Sequence, residues 1–294
     1  MFNQPELAPI SRMLAETGVT DLVINGCDSA AVLVGGKWKS VSSGFETEGE
    51  VADAARELIS LGGRQIDMAH PFANVELLGK LRVHALLASA VNPKTHISIR
   101  VHAARAVALE QLKQIQMISH EQLAQLREIL HRRQTFLISG SAGAGKTTLL
   151  RSMLSEVACE RIITIEDVAE LSLNSATSVS LISREANIEA RGEISLEDLL
   201  AQSLRMRPDR IVIGEIRSTE LFVLLQAVSS GHCAAATIHA NSIDQVFDRL
   251  IAIGLAGGVE ADTTKSLFQG AVDWLIHISN ESGKRKVEIR RAHD

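Results

Sequence analysis

The chain has 294 residues, of which 22% are charged, 46% hydrophobic and only 3% aromatic, with no Tyr and a formal net charge of −5. That is the make-up of a globular protein with room for two domains and a sizeable core. The acidic balance and scarce aromatics count against a nucleic-acid binder built on basic stripes or stacking platforms, and Cys27, Cys159 and Cys233, with no C-x-x-C pair, support neither a zinc site nor a disulfide framework.

In chain order, Met1-Phe-Asn-Gln-Pro-Glu6 lacks the basic-then-apolar pattern of a signal peptide. Asp21–Asn25 and Ala31–Val34 flank an Asn25-Gly26 turn and predict a hairpin. Val51, Ala54, Ala55, Leu58 and Ile59 recur at helical spacing, with Thr47 as N-cap and Gly62-Gly63 as stop. Three short strand-like runs follow and end in His96–Val101, whose alternation buries Ile97, Ile99 and Val101 and turns Arg100 outward. These elements predict an amino-terminal α/β domain over 1–103, and residues 104–118 read as a linker with some helix. Ser119 and Gln122 then form a capping box ahead of Leu123, Leu126 and Leu130.

From residue 135, strands at 135–139, 161–165, 179–182, 210–214 and 235–238 alternate with helices at 147–157, 196–206, 219–229 and 242–253. That alternation predicts a mostly parallel sheet wrapped by helices over 119–294. Residues 273–279 and 286–290 read as a closing hairpin. The longest apolar runs, such as Leu221–Leu225, are too short to cross a bilayer, so membrane association would come through a partner. The basic clusters His131–Arg133 and Lys284–Lys286 read as solvated surface.

The chemistry concentrates at Gly140, Ser141, Ala142, Gly143, Ala144, Gly145, Lys146 and Thr147, with Thr148 next, which fit G-x-x-x-x-G-K-[ST] between a strand and a helix. In that setting successive amides and a helix N-terminus converge on one phosphate. Lys146 then reaches the β/γ oxygens of a nucleotide and the Thr147 hydroxyl reaches Mg²⁺. Hydrolysis also needs acids at neighbouring strand ends. Glu166 and Glu215 stand there, one to orient or deprotonate water and the other to hold the hydration shell of Mg²⁺. Taken alone, Asp167 or Glu170 reads as a helix cap. His239 ends the next strand and suits a γ-phosphate sensor. Arg82, Arg100, Arg184, Arg205 and Arg217 are the candidates to neutralise transition-state charge.

These segments, in this order, resemble the secretion and pilus-assembly ATPases of bacterial type II and type IV systems. The carriers are the Walker A box at Gly140–Thr147 and the acidic box Thr164-Ile-Glu-Asp-Val-Ala-Glu-Leu171. With them stand the Walker B box, Leu204 to Arg217, and the His box, Gly231-His232 through Ser242. Leu204-Arg-Met-Arg-Pro-Asp-Arg210 and Ala236-Thr-Ile-His-Ala-Asn-Ser242 resemble the Tad/Flp pilus ATPases most, and the chain departs from the family at Val168, Ser218 and the residues before Arg82. The resemblance implies a RecA-like carboxy-terminal domain behind a smaller α/β domain, ATP and Mg²⁺ as cofactors, and a homo-hexamer without zinc. It further implies a cytoplasmic motor held at the inner face of the membrane by a polytopic platform protein. Glu166 becomes the general base, Glu215 the Mg²⁺-linked acid, His239 and His232 γ-phosphate sensors, and Arg82 and Arg100 fingers, with Arg217 and Arg184 as further candidates. Two other classes stay open at this point: a non-hydrolysing regulator of such a ring, and a RecA-like nucleic-acid translocase.

Overall fold

The computed structural model describes every residue except 1, 79–80, 90–91, 102–106, 168, 174, 185–191, 219, 282–283 and 294. The chain divides into two compact units, Met1–Ala104 and Arg105–Asp294.

The first unit runs α1 (Ala8–Leu14), β1 (Val19–Asn25), β2 (Ala30–Val34), β3 (Lys37–Val41), α2 (Glu48–Leu61), β4 (Phe72–Leu77), β5 (Leu81–Leu86) and β6 (His96–Val101). The Asn25-Gly26 turn closes the β1–β2 hairpin, and the Thr47 side chain caps α2 by accepting from the Glu50 amide. The strands form one antiparallel sheet in the order β3-β2-β1-β6-β5-β4. Helix α2 lies on one face, where Val51, Leu58 and Ile59 meet Leu22, Val83, Ile97 and Ile99 in a dry core. Period-two alternation therefore sends Arg82, His84, Ser98 and Arg100 to the other face. There the pairing register lines up Glu76, Arg82, Arg100 and Asp21 in one row across four strands.

The second unit continues with α3 (Leu109–Gln114), α4 (His120–His131), β7 (Phe136–Gly140), α5 (Lys146–Glu156), β8 (Ile162–Glu166), β9 (Val179–Ile182) and α6 (Leu196–Ser203). It ends with β10 (Arg210–Ile216), α7 (Glu220–Ser229), β11 (Cys233–His239), α8 (Gln245–Ala256), α9 (Ala261–Ala271), β12 (Trp274–Glu281) and β13 (Lys284–Arg291). The described part of 104–118 packs here, with Leu109, Leu112, Met117 and Ile118 in this unit's core. The Ser119–Gln122 capping box is present.

The sheet order is β13-β12-β7-β11-β10-β8-β9, parallel throughout except for the antiparallel β12–β13 hairpin. Successive residues of β7 serve opposite faces. Phe136 and Ile138 pack with α3, α4 and α5, while Leu137 packs with the residues of α6 to α9. A sheet covered on both sides explains why its central strands are apolar runs. Because β7, β8, β10 and β11 are parallel, all four carboxyl ends open on one edge, where ligands bind such sheets.

Candidate active site

The loop 140–147 leaves β7 at that edge. Gly145 is the N-cap of α5 with φ 106°, a left-handed conformation that disfavours any side chain. The first turn of α5 thereby opens its amides toward the loop. Lys146 is buried and folds back on the loop: its Nζ lies 3.0 Å from the Gly140 carbonyl, 3.1 Å from that of Ser141 and 3.2 Å from His239 Nδ1. Burial lowers its pKa, although Glu215 and Glu170 pull the other way.

Glu215 reaches this group through a bulge. Ile213 and Ile216 of β10 face Ala236 and Ile238 of β11, so Gly214 and Glu215 together stand opposite Thr237. The Thr237 hydroxyl donates to the Gly214 carbonyl at 2.8 Å and fixes the bulge. A bulge re-aims the side chains around it. Here Glu215 presents one oxygen to His239 Nε2 at 2.7 Å and the other to the guanidinium of Arg217. Burial first, and then the Lys146 charge, hold the His239 pKa below its usual value.

Glu166 ends β8 and is turned inward. Its Oε1 accepts from the amides of Glu170 and Leu171 at 3.0 and 3.1 Å, and its Oε2 accepts from the Thr164 hydroxyl at 3.1 Å. Burial dominates those bonds and lifts the carboxyl to about 7. Gly214 is required beside it, because a Cβ there would lie 2.9 Å from Glu166 Cγ. The described residues between β8 and β9 include no helix, so Asp167 and Glu170 do not cap one. Glu170 instead stands 3.4 Å from the Thr147 hydroxyl. A cleft of about 540 Å³ opens beside the loop, lined by Ser141, Ala142, His239, Asn241, Asp248 and Arg249 among others.

The family model for the type II/IV secretion system protein matches residues 75–278. The chain belongs to this family. A Mycobacterium tuberculosis (strain H37Rv) protein named "Putative conjugal transfer protein Rv3659c" is 36% identical over 284 residues, spanning 94% of this chain and 81% of its own length. The type IV secretion system protein VirB11 of Bartonella henselae is 26% identical over 322 residues, spanning 96% of this chain and 90% of its own. The solved structure of the pilus retraction motor PilT with bound ADP has the same fold, with a TM-score of 0.67 at 21% identity, over 96% of this chain and 82% of that one. A RecA-like P-loop domain behind a smaller α/β domain is therefore the architecture of this secretion-family chain.

Of the residues singled out in its sequence, Lys146, Thr147, Glu215, Arg217 and His239 converge on one strand edge. His232 does not. It precedes β11, whose other end carries His239, and seven strand residues put it roughly 20 Å away. Arg184 lies beyond β9, where its Nε donates to the Gly192 carbonyl at 2.5 Å. Arg82 and Arg100 sit opposite each other on β5 and β6 of the first unit, and Arg100 bonds Asp21 at 3.0 Å.

Three contacts go beyond the roles read from the sequence. Glu170 faces Thr147. Arg285 of β13 donates to the Gly143 carbonyl at 3.4 Å, so the basic run Lys284–Lys286, exposed as expected, borders the phosphate loop. His277 of β12 is buried against Ser139, with its Nδ1 2.9 Å from the hydroxyl. Glu170 and Arg285 stood in segments already singled out, and His277 left a signal as a lone polar residue inside the apolar run Leu275–Ile278.

Proposed function

We propose that this chain is a Mg²⁺-dependent ATPase subunit that powers a Tad/Flp-type pilus or a related type IV secretion system. The observation that carries this reading is the Lys146–His239–Glu215 chain of contacts at the mouth of the phosphate loop. Family membership supports it, as do relatives named for conjugal transfer and type IV secretion. The motif wording at 204–210 and 236–242 supports the Tad/Flp assignment.

In this reading, Lys146 leaves the loop carbonyls for the β- and γ-phosphate oxygens, while the loop amides hold the β-phosphate. The donors nearest the loop are hard oxygens, the Thr147 hydroxyl with Glu170 beside it and the Glu215 carboxylate, which is the donor set Mg²⁺ takes together with phosphate and water. Bound there, the cation would neutralise charge developing on the β- and γ-oxygens. Glu166 accepts the proton of the attacking water as the bond from the γ-phosphorus to its bridging oxygen breaks and ADP leaves. Its Oε1 is pinned by two amides, so Oε2 is the working oxygen. Thr164, the partner of Oε2, has a second acceptor in Ser180 Oγ at 3.2 Å and can turn away.

His239 reads the γ-phosphate through its link to Glu215. Arg82 and Arg100 act as fingers from the amino-terminal unit, and the working form is a cytoplasmic homo-hexamer docked on a polytopic membrane protein. Among the described residues no helix is long and apolar enough to cross a membrane.

Steady-state phosphate release tests the reading. Wild-type protein hydrolyses ATP with Mg²⁺, and its specific activity rises with protein concentration as rings form. Lys146→Ala loses nucleotide binding, while Glu215→Gln binds and stalls. Wild-type turnover by Glu215→Gln would refute the assignment.

A further inference from the structure

Past the end of β7, the β12–β13 hairpin carries a cation over the phosphate loop. Gly140 pairs with Ile278 on β12, which runs on to Glu281, and β13 returns with Arg285 opposite Asn280. Two residues of overhang put Arg285 roughly 7 Å beyond the level of Gly140. Val287 and Ile289 of the same strand pack with the core residues of α4 and α5, so alternation turns Arg285 to that face, above the start of α5. The contacts agree with this placement. Nη2 of Arg285 donates to the Gly143 carbonyl at 3.4 Å. Its Cζ, Nη1 and Nε lie 3.8, 3.8 and 3.9 Å from the point that a Cβ on Gly145 would occupy. At that range, three atoms of a planar group are equally distant only from a point above their plane. The guanidinium therefore lies flat on Gly145 and is bonded at one edge, and the exposed side chain turns its other face away from the loop.

His239 and Glu215 stand on the opposite side of β7. The sheet order runs β13-β12-β7-β11-β10, and these two residues come from β11 and β10. A nucleotide with its γ-phosphate at that pair extends along the loop away from β11, so its nucleoside end arrives at Arg285. We infer that Arg285 is a platform for the base: the purine ring stacks on the open face of the guanidinium. The inference rests on the nucleotide site proposed above. A planar, delocalised and weakly hydrated cation stacks on aromatic rings in a way that an ammonium does not. The helix gives this cation no reason to be there, because the dipole at the N-terminus of α5 repels positive charge. A bound nucleotide does.

The test titrates the full chain in Mg²⁺ with ADP and with tripolyphosphate, which carries the phosphates without a base, and compares wild type with Arg285→Ala and Arg285→Lys. Arg285→Ala should weaken ADP binding by about tenfold, the scale on which lost base stacking registers, and change tripolyphosphate binding by less than about twofold. Arg285→Lys keeps the charge and a donor but has no plane to stack on, so its ADP affinity should stay within about threefold of that of Arg285→Ala. Wild-type ADP affinity in Arg285→Ala overturns the inference. So does an equal loss toward tripolyphosphate, which would make Arg285 a phosphate ligand or a prop for the loop. Full rescue by Arg285→Lys overturns it as well, because a point charge would then suffice, and this arm decides even where tripolyphosphate binds too weakly to titrate. Wild-type protein that binds neither ADP nor ATP would instead defeat the functional reading. Wild-type binding that Arg285→Ala retains in full defeats only the role of Arg285.

Discussion

Lys146 Nζ lies 3.2 Å from His239 Nδ1, and because an ammonium can only donate, the imidazole must accept there. The neutral ring then carries its proton on Nε2 and gives it to Glu215 Oε1 at 2.7 Å. The Walker lysine and the Walker B acid, far apart in sequence, are thus joined through one tautomer of one histidine.

Removing that link should affect turnover more than binding. His239→Ala is expected to lower kcat by about tenfold or more and to leave nucleotide affinity within about threefold. Steady-state kinetics beside a fluorescent-nucleotide titration separates the two, and a pure affinity loss would contradict a sensing role.

Glu166 should set the acid limb of the pH–rate profile. Its carboxyl is lifted to about 7 by burial and must be ionised to accept a proton, so kcat should fall as pH drops below about 7. Glu166→Gln should cost about 100-fold or more in kcat and abolish that limb. An intact limb in the variant would move the role of base elsewhere, with Glu170 as the next candidate.

The same shift predicts a stability effect. The folded carboxyl titrates near 7 against an ordinary value of 4.5, so the folded state holds its proton more tightly than the unfolded chain does. That contribution is fully present below pH 4.5 and is lost as pH rises through about 7. Across this window the wild type should lose up to about 3 kcal/mol relative to Glu166→Gln. Denaturant titrations at pH 5 and pH 8 should show the variant gaining on the wild type toward pH 8; a variant that merely keeps pace or loses ground over that range would refute the burial effect.

Gly214→Ala tests the bulge. The added methyl would press on Glu166 Cγ, so a loss of about 1–3 kcal/mol is expected. Activity should drop even where the protein remains folded, because Glu215 is the next residue. Thermal melts beside single-turnover assays would show whether the two losses come together.

Arg100→Ala should reduce kcat more than nucleotide affinity. Arg100 is exposed, and its ion pair with Asp21 is a surface pair of the kind worth little, so the guanidinium can be recruited by a stronger anion. An unchanged kcat in Arg100→Ala would leave Arg82, its neighbour across the strands, as the remaining finger.

The parallel sheet, the loop and both strand-end acids were legible in the sequence because each rests on a local signal: an apolar run, a glycine pattern or a carboxylate just past a strand. α1, β3 and α9 were not. β3 is exposed at nearly every position, so Lys37–Val41 shows no alternation, and α9 buries only Thr264 and Phe268. The inward turn of Glu166 and the approach of Glu170 to Thr147 depend on how 167–171 folds back, which no periodicity records. His232 and His239 share one box in sequence, yet a straight strand separates them by its full length.

Lys146 is satisfied from within the fold. All three Nζ protons of Lys146 have acceptors within the fold, two carbonyls and an imidazole. An incoming anion must outcompete an internal set of ligands rather than fill an open vacancy. A lone phosphate replaces only the lysine's neutral acceptors with charged ones, whereas a chain of phosphates would reach the lysine, the loop amides and the strand-end groups at once. On the nucleotide reading proposed above, this internal competition would favour a polyphosphate, which meets several of these groups together, over a single anion.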